Sequence, residues 1–246
     1  RYSTQQLLAG HFPLDGWFPY LSLGSPYLAH YQSTPAILTG LLGTAIGSQH
    51  AFIWVFYLLL ATWPVSVFLG GRLLGWGAWS SAASAAAAPL LSSINGYGFG
   101  HQAYLWIGNG LWSQLWGMWM LPLCWGLTWQ AVAKRKFIFL ATLSMAFAIG
   151  FHFLTAYLAG LTLVLWIVFR PSQILRRIRV GIVVGGGAVL ATMWVTVPLV
   201  VYGKWSAANE FDGTGTFWTD SYGARKVLAW LIRGQLLDNG HFPIIT

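Results

Sequence analysis

Residues 51–69 read AFIWVFYLLLATWPVSVFL and contain no charged side chain. A helix needs about 20 residues to cross about 30 Å of hydrocarbon, so this run predicts a transmembrane helix. Three further apolar runs have a similar length, at 73–91, 111–133 and 180–202. The sequence therefore predicts an all-α fold, a polytopic bundle of transmembrane helices.

The composition supports this class of protein. Hydrophobic residues make up 57% of the chain and charged residues 7%, whereas soluble domains average about 45–50% and about 25%. The formal net charge of +8 does not indicate a nucleic-acid partner, because basic residues in membrane proteins concentrate in cytoplasmic loops. Cys124 is the single cysteine, which excludes an internal disulfide and a multi-cysteine metal site.

The basic residues predict an orientation. Eight of them flank the apolar runs in three groups, and the positive-inside rule assigns these to the cytoplasmic side: Arg72, Lys134, Arg135, Lys136, Arg170, Arg176, Arg177 and Arg179. The other five fall in the segments predicted outside: Arg1, Lys204, Arg225, Lys226 and Arg233. All five carboxylates share those outer segments: Asp15, Glu210, Asp212, Asp220 and Asp238.

The apolar run 137–169 has basic groups at both ends, so it must cross an even number of times. Its 33 residues are too few for two full spans, and we expect two short helices that turn near GFHF (150–153). We expect one transmembrane domain over 1–246 with these parts: external 1–49 with a short apolar piece at 36–46, spans near 50–69, 73–91, 111–133 and 180–202, the hairpin 137–169, and an external loop 203–243 with an amphipathic surface helix at 222–238.

The ends of the chain suggest a piece of a longer protein. The sequence opens on Arg1 without an initiator Met, and it stops at HFPIIT, which reads like the start of another apolar segment. We therefore expect an internal fragment with further segments on both sides.

Residues 10–35 contain the pattern G-H-F-P, W-F-P-Y, G-S-P-Y and Y-Q-S-T-P. This pattern resembles the first external loop of the GT-C superfamily of integral-membrane glycosyltransferases. It is most similar to the bacterial and archaeal membrane proteins labelled 6-pyruvoyl-tetrahydropterin synthase-related. FHFLTAY (151–157) and TDSYGARKVLAWLIRGQLLD (219–238) also resemble segments of that superfamily.

The resemblance implies an inverting glycosyltransferase in the plasma membrane of a prokaryote. The donor would be a sugar on a polyprenyl phosphate, and the acceptor would be a glycan, lipid or protein on the outer face. A carboxylate of the first external loop would act as general base on the acceptor hydroxyl, and basic or polar groups would assist the departing lipid phosphate. No nucleotide cofactor is implied; some members use a divalent cation and others do not.

Asp15 is the carboxylate in the loop that resembles the superfamily, so it is the candidate general base. It could instead order the loop or bind substrate, or be a turn residue before Gly16. In the superfamily the catalytic Asp usually precedes the surface helix, so the base could also lie upstream of Arg1. The candidate substrate-binding residues are Trp17, Tyr27, His30, Tyr31, His101, His152, Lys204, Asp220, Arg225 and Lys226.

Three histidines each have a functional and a structural interpretation. His152 lies at membrane depth in the predicted hairpin, where ionisable residues are functional candidates, although a neutral His bonded to a backbone carbonyl is an equal alternative. His30 and His101 could contact sugar or phosphate, or make structural hydrogen bonds. Glu210 and Asp212 lack the tight spacing of a metal site with His101, so no metal ligand is predicted.

Two other functions stay open. A lipid or glycolipid transporter would favour ionisable residues along a path at the bilayer midplane, and the predicted spans contain none apart from His152. The other alternative is a non-catalytic membrane scaffold with the GT-C shape, because this sequence shows no clear paired-acid motif.

Overall fold

The computed structural model describes residues 1–19, 24, 26–29, 32–90, 112–169, 173–201 and 224–233. Over these ranges the chain forms helices and turns, with no β-strand among them. The all-α prediction is therefore confirmed for the described residues. The chain divides into two compact units, Arg1–Gly203 and Lys204–Thr246.

The described part of the first unit contains nine α-helices: α1 Tyr2–Leu8, α2 Thr34–Ile46, α3 Ser48–Leu74, α4 Ala78–Ala87, α5 Trp112–Lys134, α6 Ile138–Phe151, α7 Phe153–Val168, α8 Ile174–Ala191 and α9 Met193–Val201. It also contains three short 3₁₀ helices: Pro13–Asp15, Tyr27–Ala29 and Ala88–Leu90. The second unit contributes α10, Ala224–Ile232.

The helix α3 contains the apolar run 51–69 and is 27 residues long. It ends at Gly75, which has a φ of +99°, a left-handed conformation that glycine adopts without a steric cost. In the described ranges, α3 is the single helix long and apolar enough to cross a membrane alone; α8 and α9 pass the same test together but are bent by 68° at their junction. This is weak evidence for membrane association.

The helices α3 and α5 pack side by side in the same direction. Trp119 Nε1 donates to Thr62 Oγ1 at 2.9 Å, and Ser66 Oγ donates to the Trp119 carbonyl at 2.5 Å. Further along both helices, Gln130 Nε2 donates to the Leu73 carbonyl. Contacts that advance together along both helices define a parallel pair.

The helices α6 and α7 form a hairpin against α5. A tight turn joins α5 to α6 through residues with positive φ, Arg135 and Phe137, so α6 runs back along α5. The helix α7 then runs forward again, because its Trp166 ring meets Trp129 of α5 at 5.1 Å. The turn between α6 and α7 is the single residue His152, whose backbone is extended.

The buried core of the first unit lies where α5, α6, α7 and α8 meet. Its members are small or branched apolar side chains: Cys124, Ala131, Val132, Ala141, Met145, Ala146, Ala159, Leu163, Val180, Val184 and Ala188. At one end of this core, Arg177 Nη1 donates to the Trp166 carbonyl at 3.0 Å. We call this the basic end, because α3, α5 and α8 place Arg72, Lys134 and Arg177 there.

The predicted segment boundaries differ from the observed helices in two places, and a third prediction lies partly outside the described ranges. The predicted span 73–91 contains α4 and the 3₁₀ turn Ala88–Leu90, and the residues after 90 lie outside the described ranges up to 112. The predicted span 180–202 falls on α8 and α9, with a bend between them. The predicted surface helix 222–238 corresponds to α10, which is described only over Ala224–Ile232.

Candidate functional site

A group of buried polar side chains lies at the end of the bundle opposite the basic end. Three of its contributors meet at close range: the start of α2, the first turns of α5, and the break between α6 and α7. A Cβ on Gly150 would lie 2.6 Å from Thr34 Oγ1, and a Cβ on Gly117 would lie 2.7 Å from Thr155 Oγ1. We call the group the polar junction; its members are Gln32, Ser33, Thr34, Gln114, His152 and Thr155.

Glycine makes the close approach of these helices feasible. At Gly117 a Cβ would also lie 2.9 Å from His152 Cβ, a distance that real Cβ contacts do not show. Gln114 precedes Gly117 by three residues and therefore lies on the same face of α5. The polar side chain of α5 is thus directed toward the α6–α7 break.

The polar junction is buried, yet several of its atoms lack hydrogen-bond partners. Ser33 is fully buried, and Thr34, Gln114, His152 and Thr155 are each at most 8% exposed. No partner within the described ranges bonds the following atoms: Gln32 Oε1, Ser33 Oγ, Thr34 Oγ1 and Gln114 Nε2. An unpaired buried polar group costs about 1–3 kcal/mol, so these four atoms together give the junction an unmet capacity for hydrogen bonds.

His152 contributes a fixed imidazole to the junction. Its Nδ1 and Thr155 Oγ1 are 3.0 Å apart and share a hydrogen bond. This differs from the alternative in which His152 bonds a backbone carbonyl. The bond to Thr155 orients the ring, so that Nε2 is the atom left for another partner.

The start of α2 adds the polarity of a helix N-terminus. Ser33 is the N-cap residue but makes no side-chain capping bond. The first hydrogen bond of the helix runs from Ile37 N to the Ser33 carbonyl at 2.9 Å. The N–H groups before Ile37 have no partner inside the helix, and a helix N-terminus favours an anionic ligand.

An apolar groove of about 350 Å³ lies beside the polar junction. Trp116 and Phe151 form its wall next to the junction, with ring centroids 5.0 Å apart. The residues that line the groove come from α2, α3, α5 and α6: Leu38, Leu58, Leu59, Thr62, Trp116, Trp119, Met120, Phe147 and Phe151. Its shape and chemistry suit a hydrocarbon chain whose head lies in the junction.

A second cavity, which we call the N-terminal pocket, lies between α1, α2 and the first turn of α5. Its volume is about 240 Å³, and Tyr2, Phe18, Tyr27, Thr39 and Trp112 are among the residues that line it. The Phe18 ring lies 5.3 Å from Tyr2 and 5.4 Å from Tyr27. Burial raises the pKa of the Tyr2 hydroxyl, so this group stays a neutral donor.

Two hydroxyl groups beside this pocket have an unmet capacity for hydrogen bonds. Tyr2 Oη and Thr39 Oγ1 are buried and have no hydrogen-bond partner in the described segments. Aromatic faces combined with a few oriented hydroxyls are typical of sites for small polar ligands such as sugars. Tyr27, a predicted substrate-binding residue, therefore lines a cavity of suitable chemistry.

Asp15 is the last residue of the short 3₁₀ helix Pro13–Asp15. Its backbone alone is described. The next residue, Gly16, packs so closely on Tyr2 that a Cβ there would overlap the phenol hydroxyl. The loop with the candidate base is thus held against a residue that lines the N-terminal pocket.

The other predicted site residues are placed as follows. Trp17 is 62% exposed and does not line the described pockets, while Arg225 and Lys226 are exposed on α10 of the second unit. Lys226 Nζ lies 5.0 Å from the ring centroid of Trp230. Five predicted residues lie outside the described ranges: His30, Tyr31, His101, Lys204 and Asp220.

Sequence reasoning missed Gln114 and Thr155 and did not single out Ser33 or Thr34. The motif Y-Q-S-T-P contained Ser33 and Thr34, but a turn with hydroxyls gives no signal of burial. Gln114 lies in the Trp-rich run 111–119, which reads as an aromatic belt. The usable signal was an uncharged polar residue inside an apolar run.

Neither a candidate metal site nor a similar protein was found. The described residues contain no group of three His, Cys, Asp or Glu side chains that could hold a metal ion. Comparisons with protein-family models, with curated proteins and with solved structures found no match.

Proposed function

We propose that this chain is the membrane domain of a glycosyltransferase that moves a sugar from a polyprenyl-phosphate donor to an acceptor on the outer face. The observation that supports it most is the polar junction, where unpartnered buried hydroxyls and an amide lie between an apolar groove and an aromatic pocket. A lipid-linked sugar has the same sequence of parts: a hydrocarbon chain, a phosphate and a sugar.

A polytopic position in the membrane is supported by the outer surface of the bundle. Large apolar side chains are exposed along α6, α7 and α8: Phe139, Leu140, Leu143, Tyr157, Leu161, Val164, Leu165, Ile182, Val183, Val189 and Leu190. Monomeric soluble proteins rarely expose apolar patches above a few hundred Å². In a bilayer the same side chains contact lipid, so α6, α7 and α8 are proposed to lie in the membrane with α3.

The depth of the polar junction suits a lipid phosphate. The helix α6 has 14 residues, so its turn at His152 lies about 21 Å from the basic end at about 1.5 Å per residue. Across about 30 Å of hydrocarbon, this puts His152 about 9 Å below the opposite surface. A charged phosphate at this depth requires hydroxyl and amide donors that replace its hydration.

The donor's phosphate is proposed to bind at the start of α2. Ser33 Oγ, Thr34 Oγ1 and Gln114 Nε2 can each donate a hydrogen bond to it, and the helix N-terminus favours its negative charge. The prenyl chain is proposed to follow the apolar groove along Trp116 and Phe151. Burial of this chain contributes about 25 cal/mol for each Å² of apolar surface removed from water.

The acceptor is proposed to bind in the N-terminal pocket, against Tyr2, Tyr27 and Trp112. Asp15 is the proposed general base for its hydroxyl, since the next residue, Gly16, packs on Tyr2, which lines this pocket. An acid preceding Arg1 in a longer chain is the alternative base. The variant Asp15→Asn distinguishes these two candidate bases. If Asp15 is the base, the variant loses turnover and keeps donor binding; if the base precedes Arg1, turnover is retained.

The test uses the purified chain in detergent with undecaprenyl phosphate, undecaprenol and a panel of polyprenyl-phosphate pentoses and hexoses. We expect saturable binding of undecaprenyl phosphate, weak binding of the alcohol, and slow release of sugar to water from at least one donor. The double variant Ser33→Ala with Thr34→Val should weaken phosphate binding by about tenfold or more.

The matched control is Thr44→Val, since Thr44 is exposed and bonds only the Leu41 carbonyl within α2. It should leave donor binding unchanged. Equal binding of undecaprenol and undecaprenyl phosphate would exclude a phosphate site. Binding without sugar release from any donor would favour the scaffold or transporter instead of the transferase.

A further inference from the structure

An apolar cavity separate from the polar junction lies between α3, α4 and α5. Its volume is about 490 Å³, roughly three times that of an engineered apolar cavity of about 150 Å³ that holds benzene. Its lining residues recur on one face of each long helix and include Trp63, Val67, Gly70, Met118, Leu121 and Trp125. None of its lining residues belongs to the apolar groove or the N-terminal pocket.

Close helix contacts hold the walls of this cavity in place. A Cβ on Gly70 would lie 2.6 Å from the Pro122 carbonyl oxygen, and one on Gly71 would lie 2.9 Å from Ser81 Oγ. The wall opposite α5 is made of small residues of α4 and of the 3₁₀ helix after it, Ser84, Ala87 and Ala88. The contacts of α3 with α4 and with α5 therefore fix two sides of the cavity.

The cavity opens to the surface next to a guanidinium group. Trp76, which is exposed, is among its lining residues. Arg72 Nη1 donates to the Trp76 carbonyl at 2.6 Å, which places the charge at this opening. A guanidinium has five N–H donors, so Arg72 can bond this carbonyl and an anion together.

The surroundings of the opening are positively charged. Gln130 Nε2 donates to the Leu73 carbonyl, so the end of α5 lies beside the end of α3. Lys134 follows Gln130 by one turn, and Arg135 and Lys136 follow directly. Among the described residues Asp15 is the sole carboxylate, and it lies beside α1, so this opening complements a negatively charged group.

We infer that the α3–α4–α5 cavity binds one acyl chain of an anionic phospholipid, whose phosphate bonds Arg72. The inference rests on the membrane position proposed above but not on the transferase activity. The basic end corresponds to the cytoplasmic leaflet by the positive-inside rule, where anionic phospholipids attract basic residues. The donor site lies at the opposite end of the bundle, so the two lipids do not compete.

The test measures lipid binding to the delipidated full chain by native mass spectrometry. The probes are phosphatidylglycerol and phosphatidylcholine with identical acyl chains, and undecaprenyl phosphate. We expect phosphatidylglycerol to bind at least about tenfold more tightly than phosphatidylcholine, and Arg72→Gln to remove this difference. Arg179→Gln removes the same charge at the same end from α8, a helix that does not line the cavity, and should preserve the difference.

A second pair of variants tests the chain-binding part. Ala87→Phe places a ring in the cavity and should weaken binding of both phospholipids by about tenfold, while Ala86→Phe, on the neighbouring exposed position of α4, should not. An Ala87→Phe variant without effect would overturn the inference, and so would an Arg179→Gln variant that loses the difference as Arg72→Gln does.

The transferase proposal and this inference fail in different ways. Thr34→Val should weaken undecaprenyl phosphate binding and leave phosphatidylglycerol binding unchanged. If undecaprenyl phosphate instead responds to Arg72→Gln and Ala87→Phe, the cavity is the donor site and the inference is wrong. If phosphatidylglycerol behaves as expected while no donor binds, the transferase proposal alone fails.

Discussion

The hydrogen bond between His152 and Thr155 is the best-defined polar contact in the candidate site. Both side chains are buried, and the 3.0 Å bond fixes the imidazole at the break between α6 and α7. Thr155→Val keeps the shape but leaves His152 Nδ1 unpaired, so we expect a loss of about 1–3 kcal/mol of stability. The thermal midpoint of the detergent-solubilised chain measures this.

Thr162→Val is the matched control for that variant. Thr162 lies two turns further along α7 and is only partly buried, and its hydroxyl donates to the Leu158 carbonyl of its own helix. We expect a change below about 0.5 kcal/mol for this surface position. Equal losses for Thr155→Val and Thr162→Val would contradict a special role of the His152 contact.

Gly150 controls how closely α2 approaches α6. A Cβ there would lie 2.6 Å from Thr34 Oγ1, so Gly150→Ala must push the start of α2 away from the polar junction. We expect a loss of about 1–3 kcal/mol from this overpacking, together with weaker binding of undecaprenyl phosphate. Thermal melting and lipid binding on the same preparation measure both effects.

The control is Gly160→Ala in α7, where a Cβ would meet nothing within 4 Å. Alanine is the better helix former, so this variant should be neutral or more stable by up to about 1 kcal/mol. If Gly150→Ala is tolerated as well as Gly160→Ala, α2 does not pack on α6 as described.

The residues of the candidate site were harder to predict from the sequence than the helices or the fold class. It pointed to His152 because a titratable residue inside an apolar run is unusual. It gave no sign that Gln114 would lie near His152, because this requires the hairpin α6–α7 to return along α5. Tyr27 was predicted to bind substrate because of its aromatic face. The pocket that it lines could not be predicted, because its residues come from separate segments that only the fold brings together.

At the scale of helices, the seam between α3 and α5 is held by glycine contacts and by hydrogen bonds across it. Ser66 Oγ donates to the Trp119 carbonyl at 2.5 Å and is 1% exposed. Hydrogen bonds between membrane helices contribute on average about 0.6 kcal/mol and at most about 1.7. We therefore expect Ser66→Ala to lower stability by about 0.5–1.5 kcal/mol.

Ser80→Ala in α4 is the comparison for Ser66→Ala, because Ser80 is exposed. Denaturation by increasing detergent or sodium dodecyl sulfate, followed by Trp fluorescence, measures both variants. A Ser66→Ala protein as stable as the Ser80→Ala protein would show that this bond does not hold the seam.

Helix positions were easier to predict than helix ends. Apolar runs indicated α3, α5 and the pair α6–α7, because uncharged stretches of this length have few alternatives. The bend of 68° between α8 and α9 was not predicted. The residue at the bend is Thr192, not Gly or Pro, and Pro198 lies six residues later. The local sequence therefore contains no helix-breaking residue at the bend.

At the scale of the whole molecule, the orientation in the membrane is the claim on which both lipid proposals depend. The account puts the start of α3 outside and the turn between α5 and α6 inside. In a Cys124→Ala background, Gln49→Cys should react with an impermeant maleimide in intact cells. Lys136→Cys should react only after the membrane is opened; both positions are exposed in the fold.

The reverse labelling pattern would invert the topology and place the polar junction in the cytoplasmic leaflet. Labelling of both positions in intact cells would exclude a single orientation. The background substitution is tolerable because Cys124 is fully buried and makes a small change of volume, although an alanine there leaves a small cavity.

The central claim is that the polar junction receives the phosphate of a polyprenyl-phosphate lipid. The most direct measurement is photo-crosslinking of the full chain in membranes with a polyprenyl phosphate that has a benzophenone near its phosphate, followed by peptide mapping. The account predicts adducts within 32–38, 112–119 and 147–155 that excess undecaprenyl phosphate removes. Adducts confined to the α3–α4–α5 cavity, or adducts that undecaprenol removes equally well, would contradict it.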